Sequence, residues 1–416
     1  MKLADSIDAT CKAEMAKNKF ITFLQKIPRS YIFFGIFCLS FVTLMLSVEI
    51  NNGKFWTNDF RVYYDATNDF FNGISPYNNP YGLDTGFFKY TPTTLYFFFF
   101  VSKFSYFTAQ ILHVFVLLLS LIIGTTTLHK ILFFHPGNKT NRYGVLYLAF
   151  ALIVIYVVRE FHMGNVNLIL FALFTLGLDA FIKNKEFQIA LFWSLMVILK
   201  PIVILVFLPL LFFRLWRIIT WLIGFGMLYF SIPIAHRGLG RGLGLWKEWV
   251  TAIGKHGEYI VSENSFKYLA KYYFGIDSVW LPSFFGLLFL SVILLFFQLR
   301  NKFQVFDFVE WSALFLAFTP NFFVTDSEHF LLSLPLILVI FKRLLIVNKA
   351  ILWFFFAIFI LPFSLKSNDL LGKSLSVLAN DTGMIGLANF SLILFFCFLT
   401  FFFQTKKLNA KFTSHH

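Results

Sequence analysis

Long apolar runs dominate this chain and limit the structures it can form. Of its 416 residues, 58% are apolar, only 13% are charged and 62 are Phe, and the mean hydropathy is +0.74. This composition excludes an ordinary soluble protein. In lipid every segment must satisfy its own backbone hydrogen bonds, so the runs predict membrane-spanning helices.

Basic residues are spread over short loops between these runs. The chain has 35 Lys and Arg against 21 Asp and Glu. An excess of positive charge can indicate nucleic-acid binding, but basic loops that flank apolar runs are typical of the cytoplasmic side of a membrane protein. We therefore expect both termini in the cytoplasm, membrane lipids as partners, and no nucleic-acid partner.

The sequence predicts one polytopic transmembrane domain over residues 1–416. Its apolar segments are 30–48, 91–104, 107–128, 144–160, 165–182, 187–199, 201–213, 217–235, 279–299, 305–320, 328–345, 350–363 and 384–403. A basic cytoplasmic segment is predicted at 1–29 and a cytoplasmic tail at 404–416. The polar stretches at 49–90, 236–278 and 364–383 are predicted to face outward.

Two parts of this plan are too short to be routine spans. Residues 187–213 have basic loops on both sides, so they must go out and return, with Lys200 and Pro201 at the turn. Each limb reaches about 20 Å, so Lys200 should lie below the outer lipid interface, where an ammonium group needs an anion or water. By the same parity, residues 91–104 should form a re-entrant helix. The expected fold class is all-α, with about 12 transmembrane helices.

The first outward stretch, 49–90, contains the acid with the clearest chemical potential, Asp59. Between 57 and 73, apolar and aromatic residues recur every three or four positions, which predicts an amphipathic helix in the interface. A similar helix is predicted at 245–273, after a flexible glycine-rich entry at 238–244. A carboxylate at the boundary of water and lipid can deprotonate a hydroxyl beside a lipid-borne substrate. Asp59 can also simply cap its helix.

Several short motifs resemble one known family in their order and spacing. They are Asp59-Phe60-Arg61-Val62-Tyr63-Tyr64-x-Ala66, Gly73-x-Ser75-Pro76-Tyr77, Tyr90-x-Pro92, Gly164-Asn165-Val166-Asn167, Lys200-Pro201, and His329 before Leu334-Pro335. The series resembles glycosyltransferase family 87, the polyprenol-phosphate-dependent mannosyltransferase group of the GT-C fold. Asn165 stands where the family pattern usually has Gln.

The resemblance implies inverting transfer of a hexose, with mannose favoured by the family alone, from a polyprenyl-phosphate donor to a lipid or glycan acceptor. The expected location is the outer face of a bacterial cytoplasmic (inner) membrane. Asp59 would be the catalytic base, and the donor phosphate would be bound by Lys200, His329, Arg61 and Lys89. Sugar or acceptor contacts are expected from Tyr63, Tyr64, Tyr90, Arg159, Glu160, His162, Asn165 and Asn167. One base suffices for inversion, and cations can stabilise the departing phosphate.

Other interpretations stay open for these residues. Arg159 can pair with Glu160, and Lys200 can extend to the surface. Asn165 and Asn167 can cap the span that begins there. Asp326, Glu328 and His329 could suggest a metal, but sequence neighbours in a loop seldom converge on one ion, so no metal and no other cofactor is expected.

Two other functions fit the same setting. A polymerase or ligase of lipid-linked glycans would share the outward loops and the lipid-borne substrate. A lipid or glycan transporter would show related halves around a site at the middle of the membrane, and the sequence has no clear halves.

Overall fold

The computed structural model describes residues 28–77, 79–82, 87–133, 142–259, 263–278, 280–300, 304–323, 326–365 and 368–403. Within these ranges the chain forms helices and no strand, which confirms the predicted all-α class. The predicted tail at 404–416, and all but the last two residues of the predicted basic segment at 1–29, lie outside the described residues.

The helices follow the predicted apolar segments closely. In chain order they are α1 Arg29–Asn51, α2 Asn58–Phe71, α3 Thr94–Phe98, α4 Tyr106–Phe133, α5 Gly144–Met163, α6 Asn167–Ile182, α7 Glu186–Leu199, α8 Leu208–Phe212, α9 Trp216–Arg237, α10 Leu239–Tyr259, α11 Phe266–Phe274, α12 Leu281–Arg300, α13 Val305–Phe322, α14 Leu334–Val347, α15 Ala350–Leu365, α16 Asn368–Asp381 and α17 Met384–Phe402. Short 3-10 helices cover Val101–Lys103, Pro201–Phe207 and Ser327–Ser333.

Seven of the described helices are long and apolar enough to cross a membrane. They are Arg29–Asn51, Tyr106–Phe133, Gly144–Met163, Trp216–Arg237, Leu281–Arg300, Ser327–Val347 and Met384–Phe402. The bent pair Ala350–Leu365 and Leu370–Asp381 makes eight if it counts as one span. The chain is therefore a multi-pass membrane protein, but the predicted count of about 12 crossings is not confirmed, because several apolar helices are shorter than a bilayer requires.

Two of these shorter helices, α6 and α7, pack side by side in the middle of the molecule. Gly177 on α6 permits the contact, since a Cβ there would lie 2.1 Å from the indole nitrogen of Trp193 on α7. The Trp193 side chain is completely buried and stacks with Phe174. The end of α7, and with it Lys200, is thereby held inside the protein.

The first long polar stretch, which was predicted to face outward, forms a small core of its own. Helix α2 confirms the helix predicted within 57–73, but its apolar face is covered by protein: Phe60, Tyr63, Ala66 and Phe70 are buried. The residues that cover it include Tyr77, Tyr81, Phe88, Tyr90, Leu95 and Phe98, together with Ala109 of α4, Val166, and Leu245 and Ala252 of α10. We call this cluster the outer core. Residues 91–104 form only α3 and a one-turn 3-10 helix, both far too short to cross a bilayer.

The glycine-rich stretch at 238–244 was predicted to be a flexible entry, and this prediction is wrong. Helix α10 begins at Leu239 and runs through it. A Cβ on Gly242 would lie 2.5 Å from the Cα of Ile234 on α9. The glycine at this position therefore allows α10 to fold back tightly against α9.

Candidate active site

The start of α2 is fixed to the end of α5. The residue before α2, Thr57, has a left-handed backbone conformation with φ of 40°. Its amide donates to the carbonyl oxygen of His162 (3.1 Å), and its hydroxyl oxygen accepts from Nε2 of Gln110 (2.7 Å). Asp59 follows in the first turn of α2, where the positive end of the helix dipole favours an anion.

Gly164 allows α2 to lie directly on the turn after α5. It ends α5 with φ of 68°, a conformation that side chains rarely adopt. A Cβ at this position would approach the Cβ of Phe60 to 2.7 Å. Nε2 of His113 donates to the Gly164 carbonyl oxygen at 2.9 Å and holds the turn. The next residue, Asn165, is thereby placed beside Asp59.

A chain of hydrogen bonds joins Asp59 to Lys200. The side-chain nitrogen of Asn165, Nδ2, donates to Oδ2 of Asp59 at 2.8 Å. Nζ of Lys200 donates to Oδ1 of Asn165 at 2.8 Å and to Oδ1 of Asn167 at 3.0 Å. The predicted acid of the first outward stretch and the predicted lysine-proline turn therefore belong to one site.

The break in the helix at Lys200 is stabilised by the segment that leads into α3. Lys200 has an extended backbone, and Pro201 begins the following 3-10 helix. The last carbonyl groups of an α-helix have no partners within the helix. The hydroxyl groups of Thr91 and Thr94 both donate to the carbonyl oxygen of Ile198, at 3.0 and 2.9 Å. The break is thus compensated, and Lys200 is only 5% exposed.

Glu160 lies next to the two asparagines and accepts hydrogen bonds from one of them, Asn167. It is completely buried, and its carboxylate accepts from the backbone amide of Asn167 at 3.0 Å and from the Asn167 side-chain amide. Its negative charge also interacts with that of Lys200. Glu160 therefore orients Asn167 and balances the buried ammonium group, and the alternative of an Arg159–Glu160 pair is excluded.

Arg159 instead pairs with Glu328, from the 3-10 helix at Ser327–Ser333. Glu328 is 3% exposed, whereas the side chain of Arg159 is half exposed. His329 is buried beside it, and its Nδ1 donates to the carbonyl oxygen of Asp326 at 3.1 Å. The charges of Asp326 and Glu328 act on Asp59, so this segment borders the same site.

Burial raises the pKa of Asp59 from its ordinary value to about 6. The positive charges of Lys89 and Lys200 partly oppose this shift, while Glu328 and Asp326 add to it. Asp59 itself is only half-buried. A partly accessible carboxylate with this pKa is ionised at neutral pH and is still basic enough to accept a proton.

The other predicted residues are arranged around this centre. Tyr63 and Tyr90 are buried, with their hydroxyl oxygens 2.6 Å apart, and the charge of Asp59 acts on both. Tyr64 donates to the carbonyl oxygen of Phe104, and His162 donates to Glu49. Arg61 points elsewhere, because it is exposed and pairs with Asp65 one helical turn along α2.

Some residues that hold the site together were not predicted. They are Thr57, Gln110, His113, Thr91 and Thr94, which fix the backbone on either side of Asp59 and Lys200. Polar side chains inside an apolar run, such as Gln110 and His113 in α4, are the one signal that the sequence offers for them.

The fold and this site define a multi-pass membrane protein with a buried, charged polar centre where the polar stretch that carries Asp59 meets short helices and a helix break at Lys200. The model of glycosyltransferase family 87 matches residues 87–321, more than half of the chain. The chain belongs to glycosyltransferase family 87 and is a glycosyltransferase, as its motifs predicted. No curated protein and no solved structure was found to match it.

The matched range covers only part of the site. It includes Lys89, Lys200 and the stretch from Arg159 to Asn167, but neither Asp59 nor His329. The bond from Asn165 to Asp59 therefore links the matched part of the chain to the acid that precedes it.

Proposed function

We propose that this glycosyltransferase moves a hexose, with mannose as the leading candidate, from polyprenyl phosphate to a hydroxyl of a lipid or glycan acceptor. The reaction would take place at the outer face of a bacterial cytoplasmic membrane, on a GT-C-type fold with both termini in the cytoplasm. The observation that carries this proposal is the hydrogen-bonded chain from Asp59 through Asn165 to Lys200. It joins one base and one cation in a single site.

In this mechanism Asp59 removes the proton of the acceptor hydroxyl. The acceptor oxygen forms a bond to the anomeric carbon from the side opposite the phosphate, and the bond from that carbon to the phosphate oxygen breaks. The configuration inverts, the electron pair leaves with the phosphate, and the proton stays on Asp59. The bond from Asn165 leaves the other carboxylate oxygen, Oδ1, for the acceptor.

Lys200 is the cation best placed to stabilise the leaving phosphate. It is buried, and its ammonium group is held by two neutral amide oxygens rather than by a direct hydrogen bond to a carboxylate. A fixed charge in such surroundings acts more strongly than one in water, and it needs no reorganisation during the reaction. Lys89 adds positive charge. His329, which is buried in the neighbouring 3-10 helix, is a further candidate to contact the phosphate.

The second outward stretch would help to shape the acceptor site. Helix α10 is fastened to the outer core: Nε1 of Trp249 donates to the Lys89 carbonyl oxygen at 3.3 Å, and Ser75 donates to Glu248 at 2.5 Å. Arg237 donates to the carbonyl oxygen of Phe70. An acceptor bound along α10 would therefore lie against the loop that carries Asp59 and Lys89.

The proposal can be tested with the purified full-length protein in detergent. Radiolabelled polyprenyl-phosphate sugars are supplied one at a time with a membrane lipid extract, and labelled products are separated. We expect transfer from one lipid-linked donor, with mannose favoured. Parallel reactions replace the lipid-linked donor with a nucleotide sugar, or with polyprenol that carries no phosphate and no sugar. Transfer that requires a nucleotide sugar, with none from any lipid-linked donor, would contradict the proposal.

The transfer rate should also depend on pH in a defined direction. Asp59 acts as a base only when ionised, and its pKa is raised to about 6. We expect kcat/KM to be constant above this pH and to fall about tenfold per unit below it. The measurement is the initial rate between pH 5 and 8, with thermal melts at each pH to confirm folding. A flat profile would exclude Asp59 as the titrating base.

A further inference from the structure

A second group of ligating side chains lies beside the proposed catalytic site. Asp326, Glu328 and His329 each offer a donor atom, and these atoms all lie within 4.8 Å of one another. Opposite ligands of one divalent cation are about 4.2 Å apart for Mg²⁺ and about 5 Å apart for Ca²⁺. The three donors therefore need to close by at most about half an ångström to share one ion of the smaller kind.

The local helix explains why neighbours in sequence converge here. Residues Ser327–Ser333 form a 3-10 helix, in which positions three apart lie on the same side. Asp326, which precedes the first turn, and His329 are separated by this interval. The expectation of no metal assumed an irregular loop, and the 3-10 geometry removes that assumption.

Glu328 provides the second observation. It is 3% exposed, and its Oε1 accepts from Arg159 at 2.7 Å, while its Oε2 is buried and has no hydrogen-bond partner among the described residues. A buried carboxylate oxygen without a partner is costly. A cation would satisfy it, and Arg159 would hold the carboxylate in orientation from the other oxygen.

His329 is oriented as metal-binding histidines usually are. Its Nδ1 bonds to the carbonyl oxygen of Asp326, which can only accept, so Nδ1 carries a proton and Nε2 is the ring nitrogen that a metal would use. Ligating histidines generally donate their second ring nitrogen to a carbonyl or carboxylate in this way.

The charge of the whole site also favours a cation. Among the described residues, the charged groups that interact here include four carboxylates and three cations: Asp59, Glu160, Asp326 and Glu328 against Lys89, Arg159 and Lys200. A sugar phosphodiester would add one more negative charge. On formal charges, one divalent ion would then neutralise the occupied site.

We propose that Asp326, Glu328 and His329 bind one divalent cation of the Mn²⁺ or Mg²⁺ type. Two carboxylates suit Mn²⁺ and Mg²⁺, and the imidazole favours Mn²⁺ of the two. The catalytic part of this inference rests on the proposed function: as the bond to the anomeric carbon breaks, the cation accepts the charge that develops on the phosphate oxygen. His329 then acts on the phosphate through the ion.

Direct binding tests the site without using activity. The purified full-length protein is stripped with a chelator, exchanged into fresh buffer and titrated with Mn²⁺ while the free ion is followed by electron paramagnetic resonance. We expect one saturable site, weakened in Asp326→Asn and in Glu328→Gln by at least the roughly 10- to 100-fold that is typical for the loss of an outer-shell partner of a ligand. Asp65→Asn, which removes an acid on the outer surface of α2, is the matched control and should bind as the native chain does.

Glu328→Gln removes the ion-pair partner of Arg159, and this variant can therefore fail to fold. Asp326→Asn changes an exposed position and keeps the test valid in that case. No saturable binding, or equal affinity in the native chain and in Asp326→Asn, overturns the proposal. Transfer from lipid-linked donors at the native rate in excess chelator, without Mn²⁺ binding, refutes the cation and leaves the proposed function standing. Mn²⁺ binding in a protein that uses none of those donors supports the site and refutes the function.

Discussion

Replacing Asp59 with Asn is expected to lower the transfer rate about 100- to 10,000-fold, the usual contribution of a positioned general base. Asparagine has the same shape, and its side-chain oxygen can still accept the hydrogen bond from Asn165. What it loses is the ability to take a proton from the acceptor hydroxyl. The effect should therefore fall on kcat, measured as the single-turnover rate with a lipid-linked donor.

Asp65→Asn is the matched control for this experiment. Asp65 lies on the same helix, carries the same charge, and pairs with the exposed Arg61 away from the site. It should transfer sugar at close to the native rate. If Asp59→Asn keeps the native rate, or if both variants lose activity equally, Asp59 is not the base and its place in the first turn of α2 serves only the helix.

Replacing Lys200 with Met is expected to cost about 100- to 1,000-fold in kcat, comparable to removing one preorganised stabiliser of transition-state charge. Met keeps the length and the apolar stem of the side chain. The phosphate would then leave without the nearest fixed positive charge. Lys200→Arg keeps the charge in a different geometry and should recover part of the rate.

The folding of Lys200→Met must be checked, because the charge of Lys200 also balances that of the buried Glu160. A thermal melt and gel filtration of Lys200→Met in detergent provide this check. Lys183→Met, which breaks an exposed pair with Asp179, is the control and should retain the native rate. A folded Lys200→Met protein with unchanged kcat would show that Lys200 only neutralises Glu160.

The predicted helices agree well with the structure because their signals are local. The apolar segment predicted at 107–128 lies within α4. The segment predicted at 187–199 ends at the same residue as α7, which begins one residue earlier, at Glu186. The break at Lys200 could be predicted because Pro201 cannot continue a helix and the basic flanks require a return. The number of crossings could not, since several apolar helices are too short to assign by length.

The environment of each helix was less predictable than its existence. The spacing of apolar residues in α2 predicted an apolar face but not what covers it. In the structure this face packs against other parts of the protein rather than facing lipid. Likewise the sequence left open whether Arg159 and Glu160 pair with each other or take part in the site. The structure directs these adjacent side chains to different partners, Glu328 and Asn167.

The sequence alone determined that this chain is a helical membrane protein, that it belongs to a glycosyltransferase family, and that Asp59, Lys200 and His329 are its candidate chemical groups. Only the tertiary structure decided which of them meet. Asp59 and Asn165 are 106 positions apart, and Arg159 and Glu328 are 169 apart. Apolar periodicity fixes each helix locally, but buried polar groups must find partners wherever packing brings them, since an unpaired group in a low-dielectric interior is costly.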